Sequence, residues 1–167
     1  FLNRKKPKLN KPKLLYLGRY KKEKGIFSLI KIINSISSSL ELNVVGIKQK
    51  TLSSNKKIKF FKELYSTKQI INCYDSSNIF ILPSYTEGAP KVILESLIRY
   101  RPVIVFEDIK HVKKDFKGIF VCKRTSKSFI KKISYILNNY NQIINEIKKN
   151  KIFTKRYFHN QLDKIVL

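Results

Sequence analysis

Asn78-Ile79-Phe80-Ile81-Leu82-Pro83-Ser84-Tyr85-Thr86-Glu87-Gly88-Ala89-Pro90-Lys91-Val92-Ile93-Leu94-Glu95-Ser96-Leu97 changes its periodicity once, at the loop that begins with Pro83. The run from Asn78 to Leu82 is continuously apolar after its first residue, as expected of a short strand buried on both faces. Beyond the loop, Val92, Ile93, Ser96 and Leu97 recur at the spacing that gives a helix one core-facing side. Pro90 suits the first turn of that helix, because its φ is already helical and its missing N–H would have no partner there. Strand, loop and helix in this order make one βα unit, and the question becomes whether the rest of the chain repeats it.

It does. Five more short apolar runs read as strands: Leu14 to Leu17, Leu42 to Val45, Ile58 to Phe61, Pro102 to Phe106 and Gly118 to Cys122. Between them, Ile26, Leu29, Ile30 and Ile33 form a crossover-helix face that exits at Ser37-Ser38-Ser39. Thr67 to Tyr74 reads as a short helix with Thr67 as N-cap and Ile70, Ile71 and Tyr74 turned inward. Ser126 to Tyr140 and Asn141 to Phe158 read as closing helices. This alternation predicts an α/β fold, a Rossmann-like three-layer α/β/α domain with a mostly parallel sheet of about six strands. The expected organisation is a basic segment over 1–13, one domain over 14–140 and a helical tail over 141–167.

Composition bounds the function. The chain has 167 residues, 43% of them hydrophobic, which is enough for one core, and 36 Lys and Arg against 11 Asp and Glu give a net charge of +25. An acidic disordered tail is excluded. No apolar run approaches the roughly 18 residues of a membrane-spanning helix. The chain begins at Phe1 and contains no Met, so further sequence is expected upstream; the basic start lacks the apolar region of a signal peptide. Charge of this size attracts nucleic acid, anionic membrane or phosphate-bearing ligands, although lysines on every segment also fit plain solvated faces in a Lys-, Ile- and Asn-rich sequence. Cys73 and Cys122 stand alone, with no paired spacing, and read as buried free thiols.

In open parallel sheets ligands bind beyond the carboxyl ends of the strands. The loops that matter are therefore Gly18 to Gly25, Gly46 to Asn55, Phe61 to Ser66, Pro83 to Pro90 and Glu107 to His111. In the first, Arg19 and Lys24 lie between two glycines; Arg can clamp phosphate oxygens through parallel N–H bonds and Lys acts as a point charge. In the Pro83 loop, Gly88 precedes a helix N-terminus whose free N–H groups favour phosphate, while Glu87 and Glu95, in a Glu-x7-Glu spacing, would accept from sugar hydroxyls. Plain structural roles also fit: Glu87 as a helix cap and Glu95 paired with Arg99 at i+4.

Taken together, Gly18-Arg19-x3-Glu23-Lys24-Gly25, Val44-Val45-Gly46, Ile81-Leu82-Pro83-Ser84-x2-Glu87-Gly88-x-Pro90-x4-Glu95-Ser96 and Arg101-Pro102-Val103-Ile104 resemble, in order and interval, the C-terminal half of glycosyltransferase family 4. The resemblance spans Leu14 to about Tyr140. It implies a GT-B enzyme, a retaining hexosyltransferase in which this half binds a UDP-, GDP- or ADP-sugar and no divalent metal or other cofactor takes part. By position, Arg19 and Lys24 would hold the diphosphate at the Gly18 turn and offset the charge of the leaving group. Glu87 would contact the transferred sugar, assisted by the Gly88 and Ala89 N–H groups ahead of Pro90. Glu95 would accept from the ribose 2′ and 3′ hydroxyls, and the base would lie near Phe61 and Lys62.

The resemblance also implies partners: the nucleotide sugar, an upstream acceptor-binding domain of the same protein, no nucleic acid, and a cytoplasmic location with peripheral contact at an anionic inner membrane face. An isolated half of this kind is expected to bind donor but hardly turn over. The pattern departs from the family in Gly46-Ile47-Lys48, where relatives carry Gly-Asp-Gly, and in Tyr100-Arg101, where they carry a small pair. His111 follows the fifth strand and is a candidate for the cleft, whereas His159 reads as a surface residue. Two other readings stay open from sequence: a basic RNA- or membrane-binding module without catalysis, and a sugar-nucleotide epimerase of the same fold.

Overall fold

The structure, a computed structural model, describes residues 12–47, 55–113 and 116–150. The expected basic start before Pro12, most of the loop from Gly46 to Asn55, the end of the last expected helix and His159 lie outside the described residues.

Six strands form one sheet: β1 (Lys13–Leu17), β2 (Glu41–Val45), β3 (Ile58–Phe61), β4 (Ile79–Leu82), β5 (Val103–Phe106) and β6 (Ile119–Cys122). Every pairing is parallel and the order is β3-β2-β1-β4-β5-β6. Leu14 stands opposite both Leu42 and Ile79, and Ile81 opposite Ile104. The connecting helices are α1 (Ile26–Asn34), α2 (Thr67–Asp75), α3 (Lys91–Ile98), α4 (Ser126–Asn138) and α5 (Tyr140–Lys148). This is the Rossmann-like parallel α/β sheet the periodicity predicts.

β4 and β5 are apolar throughout because both of their faces are covered. Every residue of β4 and β5 is buried, and Leu14, Leu42, Val44, Ile81 and Ile104 are wholly withdrawn from water, each side chain contributing on the order of 2 kcal/mol. The expectation of fully buried strands fails at both edges of the sheet, at β6, where Phe120 and Val121 are only partly buried, and most at β3. As an edge strand it is partly solvated, and Lys59 and Phe61 are exposed.

Local chemistry moves several boundaries. α1 ends at Asn34, before the expected serine exit, and α2 is capped in position by Ser66 rather than Thr67. Pro90 is the N-cap of α3, with φ −72° and ψ 109°, and not its first helical residue; ψ near 109° is extended, so the helix begins at Lys91. Tyr140 belongs to α5, because α4 ends at Asn138. Strands expected to start at Asn78, Pro102 and Gly118 start one residue later. Cys122 is buried as expected, but Cys73 is only partly so.

The bulky pair after α3 has a specific geometry. Tyr100 adopts the left-handed backbone conformation, φ 57°, which costs a non-glycine residue on the order of 1 kcal/mol. Arg101 turns inward, 2% exposed, and donates to the carbonyls of Tyr74, Asp75 and Arg99 at 2.9, 3.1 and 2.9 Å.

The sheet order reverses direction between β1 and β4. Successive units run outward through β2 and β3 on one side and through β5 and β6 on the other. The loops leaving β1 and β4 thus rise from neighbouring strands over the crevice at the switch point, where such sheets bind ligands.

Candidate functional site

The β1 and β4 loops meet at that crevice through backbone contacts. After β1 the chain makes one turn of 3-10 helix over Lys22–Lys24 and exits through Gly25 at φ 67°. A Cβ at Gly25 would lie 1.9 Å from the Pro83 carbonyl oxygen, so only glycine permits the approach. Tyr85 N–H donates to the Glu23 carbonyl at 2.9 Å, closing the junction.

The junction brings two of the candidate residues into contact. Lys24 Nζ lies 2.7 Å from Glu87 Oε1, and the buried Ser84 hydroxyl donates to the same oxygen at 2.7 Å. Among the described residues no hydrogen bond reaches Glu87 Oε2. His111 Nε2 lies 2.8 Å from the Glu87 carbonyl oxygen, so this histidine does belong to the loop's surroundings. Glu87 is not the cap of α3, whose N-cap carries no side-chain bond.

Gly18 and Arg19 occupy the neighbouring part of the same sheet edge. Gly18 packs over the Tyr16 ring, where a Cβ would come within 2.7 Å of the hydroxyl, and that hydroxyl donates to the Arg19 carbonyl at 3.1 Å. Burial, reinforced by the negative charges of Glu87 and Glu23, pushes the Tyr16 phenol well above its ordinary value and keeps it a neutral donor. The Arg19 side chain is exposed and lines a cleft of about 220 Å³ with Gly46, Glu63, Leu64 and Tyr65. Lys62 is exposed on the loop that supplies this wall. Gly88, Ala89 and Pro90 line a different cavity of about 280 Å³, together with Ile93, His111 and Phe116. Arg19 and the Gly88–Pro90 segment thus line separate recesses, with Lys24 and Glu87 the candidates in direct contact.

Glu95 sits one turn into α3, half-buried, and its Oε2 accepts from the Tyr74 hydroxyl at 3.0 Å. The pairing of Glu95 with Arg99 is not the arrangement found for the Arg99 guanidinium, which is fully buried and clasps Asp75 through Nε at 2.9 Å and Nη2 at 2.5 Å.

One further residue of the site carries no local sequence signal. Arg124, just past β6, donates through Nη1 to the Pro83 carbonyl and the Ser28 hydroxyl, both at 2.8 Å. Its Nη2 donates to Asp108 at 2.6 Å, and the guanidinium lies 4.0 Å from the Tyr85 ring centre and 4.4 Å from that of Phe106. It buttresses the β4 loop from behind. Its partners lie up to 96 positions away, and in a chain with 36 basic residues nothing nearby in the sequence distinguishes it. Among the described residues no group of three His, Cys, Asp or Glu side chains could hold a metal, and no helix is long and apolar enough to cross a membrane.

Comparison with known proteins gives the family and the fold. Residues 2–154 match the family described as glycosyl transferases group 1. A Bacillus subtilis (strain 168) protein, whose name assigns it provisionally to teichuronic acid biosynthesis as the glycosyltransferase TuaC, is 33% identical over 90 residues, 54% of this chain and 23% of that protein. Among solved structures, the sucrose-phosphate synthase of Thermosynechococcus elongatus superposes with a TM-score of 0.73 at 18% identity, covering 95% of this chain and 45% of that one. Anabaena Alr3699/HepE, solved in complex with UDP and glucose, superposes with a TM-score of 0.73 at 16% identity, covering 94% and 48%. At such identities the structural likeness is one of fold. The chain spans less than half the length of the curated relatives it matches, 23% and 46%.

Proposed function

The chain belongs to the glycosyl transferases group 1 family, of GT-B type, and on that premise we propose that it is the C-terminal, donor-binding half of a family 4 glycosyltransferase. It takes a UDP-, GDP- or ADP-sugar and passes a hexose, with retained anomeric configuration, to a saccharide or lipid-linked acceptor held by an upstream domain. The observation that carries the reading is the 2.7 Å contact between Lys24 and Glu87 at the switch point of the sheet.

The chemistry follows from the donors and acceptors present. One N–H of the Lys24 ammonium is engaged by Glu87, which leaves two to meet diphosphate oxygens and to offset charge as the sugar bond breaks. Arg19, on the exposed wall beside Gly18, supplies a second cation. Glu87 Oε2 points the carboxylate's remaining lone pairs at the transferred sugar, with the Gly88 and Ala89 N–H groups and the start of α3 at Pro90 completing the seat. Glu95 accepts from the ribose diol, and the base lies toward Lys62. Peripheral contact with an anionic membrane fits the net charge of +25.

Calorimetric titration of the protein with UDP-, GDP- and ADP-sugars tests the reading. One of them is expected to bind, and Glu95→Ala is expected to weaken it by about 1 to 3 kcal/mol through loss of charged hydrogen bonds to the diol. Equal binding by wild type and variant refutes the role of Glu95, and no binding by any donor refutes the function.

A further inference from the structure

We propose that Tyr74 is a positioning residue that holds the Glu95 carboxylate in the orientation it needs to read a ribose diol. The inference rests on the reading of Glu95 as the ribose acceptor and adds a residue that lies outside every motif at the sheet edge.

Tyr74 is the penultimate residue of α2 and is fully buried. Its ring packs against Phe80 of β4 with centroids 5.6 Å apart, a contact that restricts the side chain's pose. Its hydroxyl lies 3.0 Å from Glu95 Oε2 and 3.3 Å from the Val92 carbonyl oxygen, two acceptors one turn apart on α3. The hydroxyl has a single proton to share between them, and the shorter contact is to the carboxylate. Burial, the Glu95 charge and the hydrogen bond to it all raise the phenol's pKa, so it remains a donor.

The backbone under Tyr74 is held as firmly as its ring. Arg101 Nε donates to the Tyr74 carbonyl at 2.9 Å, and Asp75, the next residue, is clasped by Arg99 from the far end of α3. The end of α2 is thus tied, at the Tyr74 carbonyl and at Asp75, to the segment that closes α3. With Oε2 anchored, rotation of the carboxylate about its last torsion is restricted, and Oε1 accepts no hydrogen bond from a described residue. A carboxylate fixed in this way accepts from a diol without first losing rotational freedom.

The test compares nucleotides that differ only at the ribose. UDP, GDP and ADP, each with its 2′,3′-dideoxy counterpart, are titrated into the full protein as wild type, Tyr74→Phe, Glu95→Ala and the double variant. Wild type is expected to prefer the ribose form of its nucleotide by about 10- to 100-fold. Tyr74→Phe should reduce that preference by about 3- to 10-fold while leaving the affinity for the dideoxy nucleotide within about twofold. In the Glu95→Ala background the same change should do nothing further, because contacting residues couple through the bond removed. An unchanged preference in Tyr74→Phe, or an equal loss for both nucleotides, overturns the positioning role and leaves Tyr74 a packing residue. No preference in wild type overturns the ribose reading of Glu95, and this inference with it.

Discussion

Lys24 and Glu87, 63 positions apart, share a 2.7 Å ion pair because Gly25 and Pro83 touch backbone to backbone beside them. The pair is thus a product of the switch in strand order between β1 and β4. Both members are partly exposed, 28% and 13% for the side chains, so the pair's own contribution to stability is small, on the order of 0.5 kcal/mol.

Lys24→Ala is therefore expected to leave the thermal midpoint within about 2 °C of wild type. It should nevertheless weaken the bare nucleoside diphosphate and flatten the dependence of its affinity on salt, since one ion pair to phosphate is lost. Titration at low and high salt checks this, and an unchanged salt slope argues against contact with the diphosphate.

Gly25→Ala should act through the backbone. The new Cβ meets the Pro83 oxygen and the residue must also hold φ 67°, so a loss of about 2 to 4 kcal/mol is expected from clash and strain combined. Urea unfolding measures it. Donor affinity should fall as well, because the β1 and β4 loops can no longer stay in contact.

Arg124→Lys should not substitute for arginine. A lysine keeps the charge but cannot donate at once to Pro83, Ser28 and Asp108 or lie flat between Tyr85 and Phe106. A drop of about 1 to 3 kcal/mol in unfolding free energy is expected, with weaker donor binding through a loosened β4 loop. Full retention of both properties in Arg124→Lys would show that charge alone matters there.

Alkali should destabilise the fold from about pH 9 upward. Burial pushes the Cys122 thiol up to about 11 from an ordinary value of 9.0, and the Tyr140 phenol up to about 12 from 10.0. Both groups hold their protons more tightly folded than unfolded. Their contribution is complete below the ordinary values and is lost as pH rises toward the raised ones. Urea midpoints measured between pH 8 and 11 should fall, and Cys122→Val should make the fall shallower; a flat profile contradicts the burial argument.

Much of this molecule was legible in its residue order. The six strands appear as short apolar runs, and the helices as three- and four-residue repeats, because burial on one or two faces imposes those periods directly. The edge character of β3 was only partly legible: Lys59 interrupts it where β4 and β5 carry no polar residue, but nothing local marks Phe61, which is exposed by the strand's place in the sheet. Residue order places Pro90 in the first turn and the structure makes it the cap, because fixed φ suits both positions and only ψ separates them.

At the site, residue type and loop position single out Arg19, Lys24, Glu87 and Glu95 as candidates, and the resemblance to glycosyltransferase family 4 gives them their expected roles, because loop length and helical pitch are local properties of the chain. Tertiary structure alone decides that Lys24 reaches Glu87, that Tyr74 anchors Glu95, and that Arg124 braces Pro83. Each of those contacts joins different elements of the sheet and its covering helices, across separations of 63, 21 and 41 residues. Periodicity tells which residues face inward; which inward-facing groups then meet depends on the order in which the strands assemble.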